Sequence, residues 1–244
     1  MTPEGFAACA FIALIIAYLV YRYFKRGLRR TAMGNLAADM GWEFVPDRNH
    51  YYGHQFDQFD IFRRGDTRRA YNTLLGSITV HGKPWTVKMG DFSYTEYSKR
   101  GLSRRKSLFS VTNRFSYLIV VLPYKDVPDL LIRSERIYDS VKSWFGVDDI
   151  DFESAEFSGK FFVKSGVEQF AREVIHDGMI EFLLATDPPT IDLERGCCCL
   201  SDGKRLWKPG LFCEKIDWIQ QFFERWPRDV LRQLEPSAIT SQDS

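Results

Sequence analysis

Residues 71–97 read YNTLLGSITV, then HGKP, then WTVKMGDFSYTEY, and this stretch decides the fold class. Tyr71–Val80 and Trp85–Tyr97 are rich in β-branched and aromatic residues, and His81–Pro84 between them carries the Gly and Pro of a hairpin loop. In the second strand Trp85, Val87 and Met89 share one face. Gly90 is read as a β-bulge that shifts the face for Phe92 and Tyr94. A third long strand, Leu108–Leu122, keeps Phe109, Val111, Phe115, Tyr117, Ile119 and Val121 on one parity. Three long strands with short connections predict an antiparallel sheet.

Toward the N-terminus, Trp42–Pro46 reads as a short strand and Asp47–Gly53 as a polar turn, while Phe56–Phe62 alternates apolar and polar residues. Met33, Leu36, Ala37 and Met40 mark an amphipathic helix over Thr31–Met40, which Gly41 stops. Downstream, Ser134 caps a helix carrying Ile137, Val141, Trp144 and Phe145. Ile150 with Phe152, and Phe161–Val163, read as short strands. Ser165 and Glu168 have the spacing of a capping box before a stripe that runs from Val167 to Leu183. Thr190–Glu194 and Cys197–Leu200 follow as strands. Phe212–Trp226 is an aromatic-rich helix, interrupted at Pro227 and resumed over Asp229–Leu234. The class is α+β, an antiparallel sheet with packed helices behind one N-terminal transmembrane helix. The expected segments are an anchor with its basic flank (1–30), a β-rich lobe (31–124), an α+β lobe (125–235) and a polar tail (236–244).

The anchor rests on Gly5–Phe24, twenty residues with Arg22 as their one charge. As a helix they would measure about 30 Å, the thickness of a bilayer's hydrocarbon core. Tyr18, Tyr21, Tyr23 and Phe24 gather at one end, as an interfacial belt does. Arg22, Lys25, Arg26, Arg29 and Arg30 follow the run and only Glu4 precedes it, which predicts an outside N-terminus and a cytoplasmic body. The net charge of +1 conceals a gradient, because residues 1–122 sum to +9 and residues 123–244 to −8. The basic residues Arg22, Lys25, Arg26, Arg29, Arg30, Lys99, Arg100, Arg104, Arg105 and Lys106 are therefore candidates for contact with the membrane surface and its anionic lipid head groups. Gly5, Cys9, Ala13 and Ala17 recur every four residues, a stripe on which two copies could form a homodimer. The basic runs lack interleaved stacking aromatics, so no nucleic-acid partner is expected.

Candidate chemistry is sparse. Asp149, Asp151 and Glu153, placed on one strand face within the 148–156 carboxylate cluster, are the candidate ligands of a divalent metal. His50 and His54 with Asp57 and Asp60 lack the Glu of a H-E-x-x-H helix. Cys197, Cys198, Cys199 and Cys213 lack zinc spacing, and read as buried thiols of a reducing compartment. No phosphate-binding glycine loop or nucleophile elbow is present. No cofactor is expected and no catalytic residue is assigned.

Gly41–Phe44, Asn72 with Gly76, Asp91–Tyr94, and Asp149–Ser154 with Glu156 and Phe157 resemble phrases of a group of uncharacterised bacterial proteins with a single N-terminal span and a conserved soluble domain. The resemblance implies no activity. The leading expectation is a membrane-anchored, cytoplasmic-facing interaction or scaffold module with an unknown protein partner. A membrane-tethered metal enzyme using the carboxylates, or a sensor of anionic lipid, are the alternatives.

Overall fold

The computed structural model describes residues 3–49, 55–100, 107–134 and 149–235, with the side chains of 3–8, 98–100 and 107–109 left aside. The chain opens with α1 (Pro3–Met40), followed by β1 (Glu43–Val45) and the short α2 (Asp60–Arg63). Three long strands come next: β2 (Asp66–Val80), β3 (Lys83–Arg100) and β4 (Ser107–Val121). Then follow β5 (Leu130–Ser134), α3 (Ala155–Lys160), β6 (Phe161–Ser165), α4 (Glu168–Val174) and α5 (Asp177–Thr186). β7 (Ile191–Glu194), β8 (Cys197–Leu200), α6 (Gly210–Glu224) and α7 (Arg228–Leu234) complete it. All eight strands form one antiparallel sheet in the order β1-β2-β3-β4-β8-β7-β5-β6. The α+β architecture with an antiparallel sheet is thus present.

The sheet has a core on each side. On one face Leu74, Val87, Met89, Leu118 and Val120 meet Met33 and Ala37 of α1 and the aromatic side of α6. On the other, Phe92, Phe115, Tyr117 and Ile119 are covered by Phe56, Phe59 and Phe62. Strict alternation along β3 accounts for both, since Trp85, Val87 and Met89 go to the first core and Phe92 and Tyr94 to the second. Gly90 therefore shifts no face. The register slips on β2 instead, between Tyr71 (opposite Asp91) and Leu74 (opposite Met89), and Asn72 takes φ 50° there. Gly90 lies against this bulge, where a Cβ would come within 2.9 Å of the Asn72 carbonyl oxygen. The glycine marks a close approach by its neighbour.

The hairpin turn also tightens. His81 (φ 47°) and Gly82 (φ 76°) form a two-residue turn, so Lys83 and Pro84 join β3. Phe56–Phe62 is no strand, because its phenylalanines recur every third residue and turn inward through α2. The stripe after Val167 divides at Ile175 into α4 and α5. Ser165 forms no capping box. Its hydroxyl donates to the Asp129 carbonyl at 2.6 Å, and Glu168 pairs with Arg172. β5, unforeseen, joins β6 to β7. The sheet runs unbroken across the 124/125 boundary, because β4 pairs with β8. The helix expected after Ser134 and the tail lie outside the described residues.

The N-terminal region needs the largest correction. Among the described residues, no helix is long and apolar enough to cross a membrane. The uncharged run Gly5–Tyr21 is closed by Arg22, with Lys25 and Arg26 following at once, short of the roughly 20 apolar residues that a span needs. This overturns the expected transmembrane, single-pass anchor. Nor is there a break at the basic flank, because α1 is one helix of 38 residues, about 57 Å long.

Candidate functional site

A buried carboxylate that accepts four hydrogen bonds joins α1 to the sheet. Met33 and Ala37 lay α1 on the sheet face, and Gly41 (φ 65°) ends it so that Trp42 returns its N–H to the Ala37 carbonyl at 2.8 Å. Trp42 then packs on Gly76, where a Cβ would stand 2.1 Å from the indole. One turn before Met33, Arg29 reaches into the sheet. Its Nε donates to Asp91 Oδ2 at 2.7 Å and its Nη2 to Oδ1 at 2.6 Å. Its Nη1 donates to the Trp207 carbonyl at 2.7 Å. Asp91 has no solvent exposure and also accepts from Asn72 Nδ2 at 3.0 Å and Ser116 Oγ at 2.8 Å. Ser116 Oγ in turn accepts from the Trp207 N–H at 3.0 Å. One carboxylate thus ties together α1, three strands and the 201–209 connection. The β2 bulge is what aims Asn72 at it.

The electrostatics follow from this packing. Burial opposes the charge on Arg29, but the hydrogen bonds and charge of Asp91 prevail and raise its pKa. Beside it the Tyr71 phenol is pushed up to about 12, by burial first and the Asp91 charge second, with Arg114, Arg29 and Arg48 opposing. Register places Arg69, Ser93 and Arg114 in the next row across β2, β3 and β4, on the face that carries α1. Arg26 lies one turn N-terminal to Arg29, and its pKa is lowered by burial, then by Arg114, Arg22 and Arg48. Arginines from α1, from the segment after β1, and from β4 therefore converge.

Beyond them α1 leaves the body. Phe11, Ile12, Leu14, Ile15, Ile16, Leu19 and Val20 are exposed, from 41% at Ile15 to 68% at Leu14, and they point to nearly every side of the helix. Arg22 sits over the Tyr18 ring at 5.6 Å and Lys25 over Tyr21 at 5.8 Å.

The expected membrane-surface residues thus divide. Arg22, Lys25, Arg26 and Arg30 remain on the outside of α1, with Arg30 3.6 Å from Asp47. Arg29 does not, being committed to Asp91. The side chains of Lys99 and Arg100, and all of Arg104, Arg105 and Lys106, lie outside the described residues. Cys9, Ala13 and Ala17 are exposed, and the Gly5 end of their stripe lies outside the described side chains.

The carboxylates do not share a strand face. Asp149 accepts from the Val163 N–H at 2.9 Å, tying its segment to β6, and burial raises its pKa. Asp151 and Glu153 are exposed in irregular chain before α3. Among the described residues no group of three or more His, Cys, Asp or Glu is placed to hold a metal. Asp57 and Asp60 lie near Arg195 and Arg63, and His50 and His54 are outside the described residues. Cys198 enters one core and Cys199 the other, with both thiols pushed well above their ordinary value by burial.

No protein-family model and no curated protein matches the chain. Among solved structures it is similar to the crystal structure of the mycobacterial trehalose monomycolate transport factor A, TtfA, at 12% identity and a TM-score of 0.49, covering 83% of this chain and 96% of that one.

Proposed function

We propose that this chain is a membrane-associated interaction or scaffold module, in which the sheet body holds one end of α1 rigidly and lipid takes up the other. The observation that carries this reading is the pairing of those two ends. The Met33–Met40 end is packed and clamped through Arg29, while the Phe11–Val20 stretch shows apolar side chains on nearly every side. A helix apolar all round is stable only inside an apolar phase. The basic and aromatic turn from Tyr18 to Lys25 has the chemistry of the headgroup boundary. Its positive charge favours the anionic cytoplasmic leaflet, which supports a body on that side. The buried Asn72, Asp91 and Ser116 converge on holding α1 in place through Arg29, a holding role.

Flotation of the full chain with neutral phosphatidylcholine vesicles tests the proposal. The wild type is expected to float. Ile12→Asp/Ile16→Asp is expected to stay in the dense fraction with an unchanged thermal midpoint, since both side chains are exposed. A wild type that stays dense with the variant overturns the reading.

A further inference from the structure

We propose that Arg26, Arg48 and Arg114 form a binding site for a phosphoryl group, supplied by the headgroup of an anionic phospholipid. The proposal deepens the membrane-associated reading and rests on it for the source of the phosphate. The three arginines come from α1, the segment after β1 and β4, and backbone register gathers them: Arg26 lies one turn before Arg29, which bonds Asp91, Arg114 stands opposite Ser93 in the next row, and Arg48 precedes Asn49, whose backbone pairs with Ala70 beside Arg69. Among the described residues none of the three has a hydrogen bond or ion pair to protein. The carboxylates beside them are already engaged. Asp91 is occupied by Arg29, Asn72 and Ser116, and Asp47, next to Arg48 in sequence, stands 3.6 Å from Arg30.

Among the described residues, folding has therefore gathered like charges with no carboxylate paired to them, an arrangement that an external anion relieves. The lowered pKa of Arg26, from burial and then from Arg114, Arg22 and Arg48, reports the same crowding. In the adjoining row Arg69 has a buried Nε with no hydrogen-bond partner, which adds a further positive group on this face.

Guanidinium forks match phosphate oxygens in geometry and remain charged at every physiological pH. A phosphoryl group offers three or four acceptor oxygens to donors arriving from three directions, where a carboxylate offers two. Position supplies the source. Arg22 lies one turn beyond Arg26, and the continuous exposed apolar run of α1 from Val20 back to Phe11 begins just past it. When that stretch is in lipid, the arginine cluster lies level with the headgroups.

The test uses the full chain and two triple variants. Arg26→Gln/Arg48→Gln/Arg114→Gln removes the site. Lys125→Gln/Lys204→Gln/Arg228→Gln removes the same charge from exposed positions elsewhere. Each is floated with phosphatidylcholine vesicles containing about 30% phosphatidylglycerol, and with phosphatidylcholine alone, in about 150 mM salt. Each is also melted in neutral detergent with inorganic phosphate against chloride at equal ionic strength.

The site variant is expected to lose roughly tenfold in binding to the anionic vesicles and nothing on neutral ones, while the control variant retains both. A phosphate-dependent rise in melting temperature that vanishes only in the site variant supports the site even if no protein floats. In that case the membrane reading fails and the phosphate is a soluble one. Loss on anionic vesicles without an effect of free phosphate assigns the ligand to the lipid. Equal losses in both triple variants, or no loss in the site variant together with no phosphate-dependent melting, overturn the proposal.

Discussion

Asp91 stands on the core-facing parity of β3, in line with Trp85, Val87 and Met89. A carboxylate there is tolerated only because Arg29, Asn72 and Ser116 together supply four donors. Asp91→Ala leaves the Arg29 guanidinium part-buried and unpaired, and should lower stability by about 3–5 kcal/mol in urea unfolding. Arg29→Leu/Asp91→Leu should cost less than the two single changes summed, because no charge is then stranded. Strict additivity would show that the pair acts independently.

Asp192 behaves oppositely. Its pKa is pushed up from 3.8 to about 7, by burial first and then by Glu194 and Asp129. Its folded value lies above its unfolded one, so the folded state holds the proton more tightly and stability falls as pH climbs from about 4 through 7. Asp192→Asn should accordingly be more stable than the wild type at pH 8, with the gap closing by pH 4. Part of the side chain reaches solvent, so a gain of roughly 1–2 kcal/mol is expected. Parallel stability–pH curves for the two proteins would refute this.

At the scale of elements, α1 works as two halves of one helix. Met33 is fully buried between helix and sheet, and Met33→Ala should cost about 2–5 kcal/mol. Leu14→Ala, on the exposed half, should change stability in neutral detergent by less than about 0.5 kcal/mol while weakening vesicle binding. Equal effects on stability would mean that both halves pack on the body. The helical spacing of Met33, Leu36, Ala37 and Met40 was readable in the chain, as was its stop at Gly41. Continuity of the helix through Arg22–Arg30 was not, because a run of cations looks like a boundary until Arg29 is seen bonded to Asp91 in the sheet. β3 misled for a related reason. With only one buried face, Phe92 and Tyr94 would require a bulge at Gly90. The second layer from Phe56 to Phe62 removes that need, and the bulge belongs to β2.

Across the whole molecule, the continuity of the sheet decides cooperativity. β4 pairs with β8 through Leu118–Val121, so the β-rich and the helix-containing parts share one core. Calorimetric and circular-dichroism unfolding of the full chain in neutral detergent should coincide in one transition. Two resolved transitions would divide the chain near Lys125. A separate fragment ending at Tyr124 should fail to fold stably, because it exposes the hydrogen-bonding edge of β4 and half of the α6 contact.

The division between sequence and tertiary structure follows from the range of the interactions involved. Alternation, helical spacing and turn residues act over a few positions. They alone determined the α+β class, the three long strands, the Cys197–Leu200 strand and the aromatic helix before Pro227. The composition also held the charge gradient and the apolar N-terminal run. Tertiary structure decided what those features meet. Arg29 and Asp91 are 62 residues apart, and Arg48 and Arg114 are further separated, so no local pattern could announce either the clamp or the arginine cluster. Which charges are neutralised within the body and which are left for an outside partner depends on folding, because only the sheet brings them within electrostatic reach of one another.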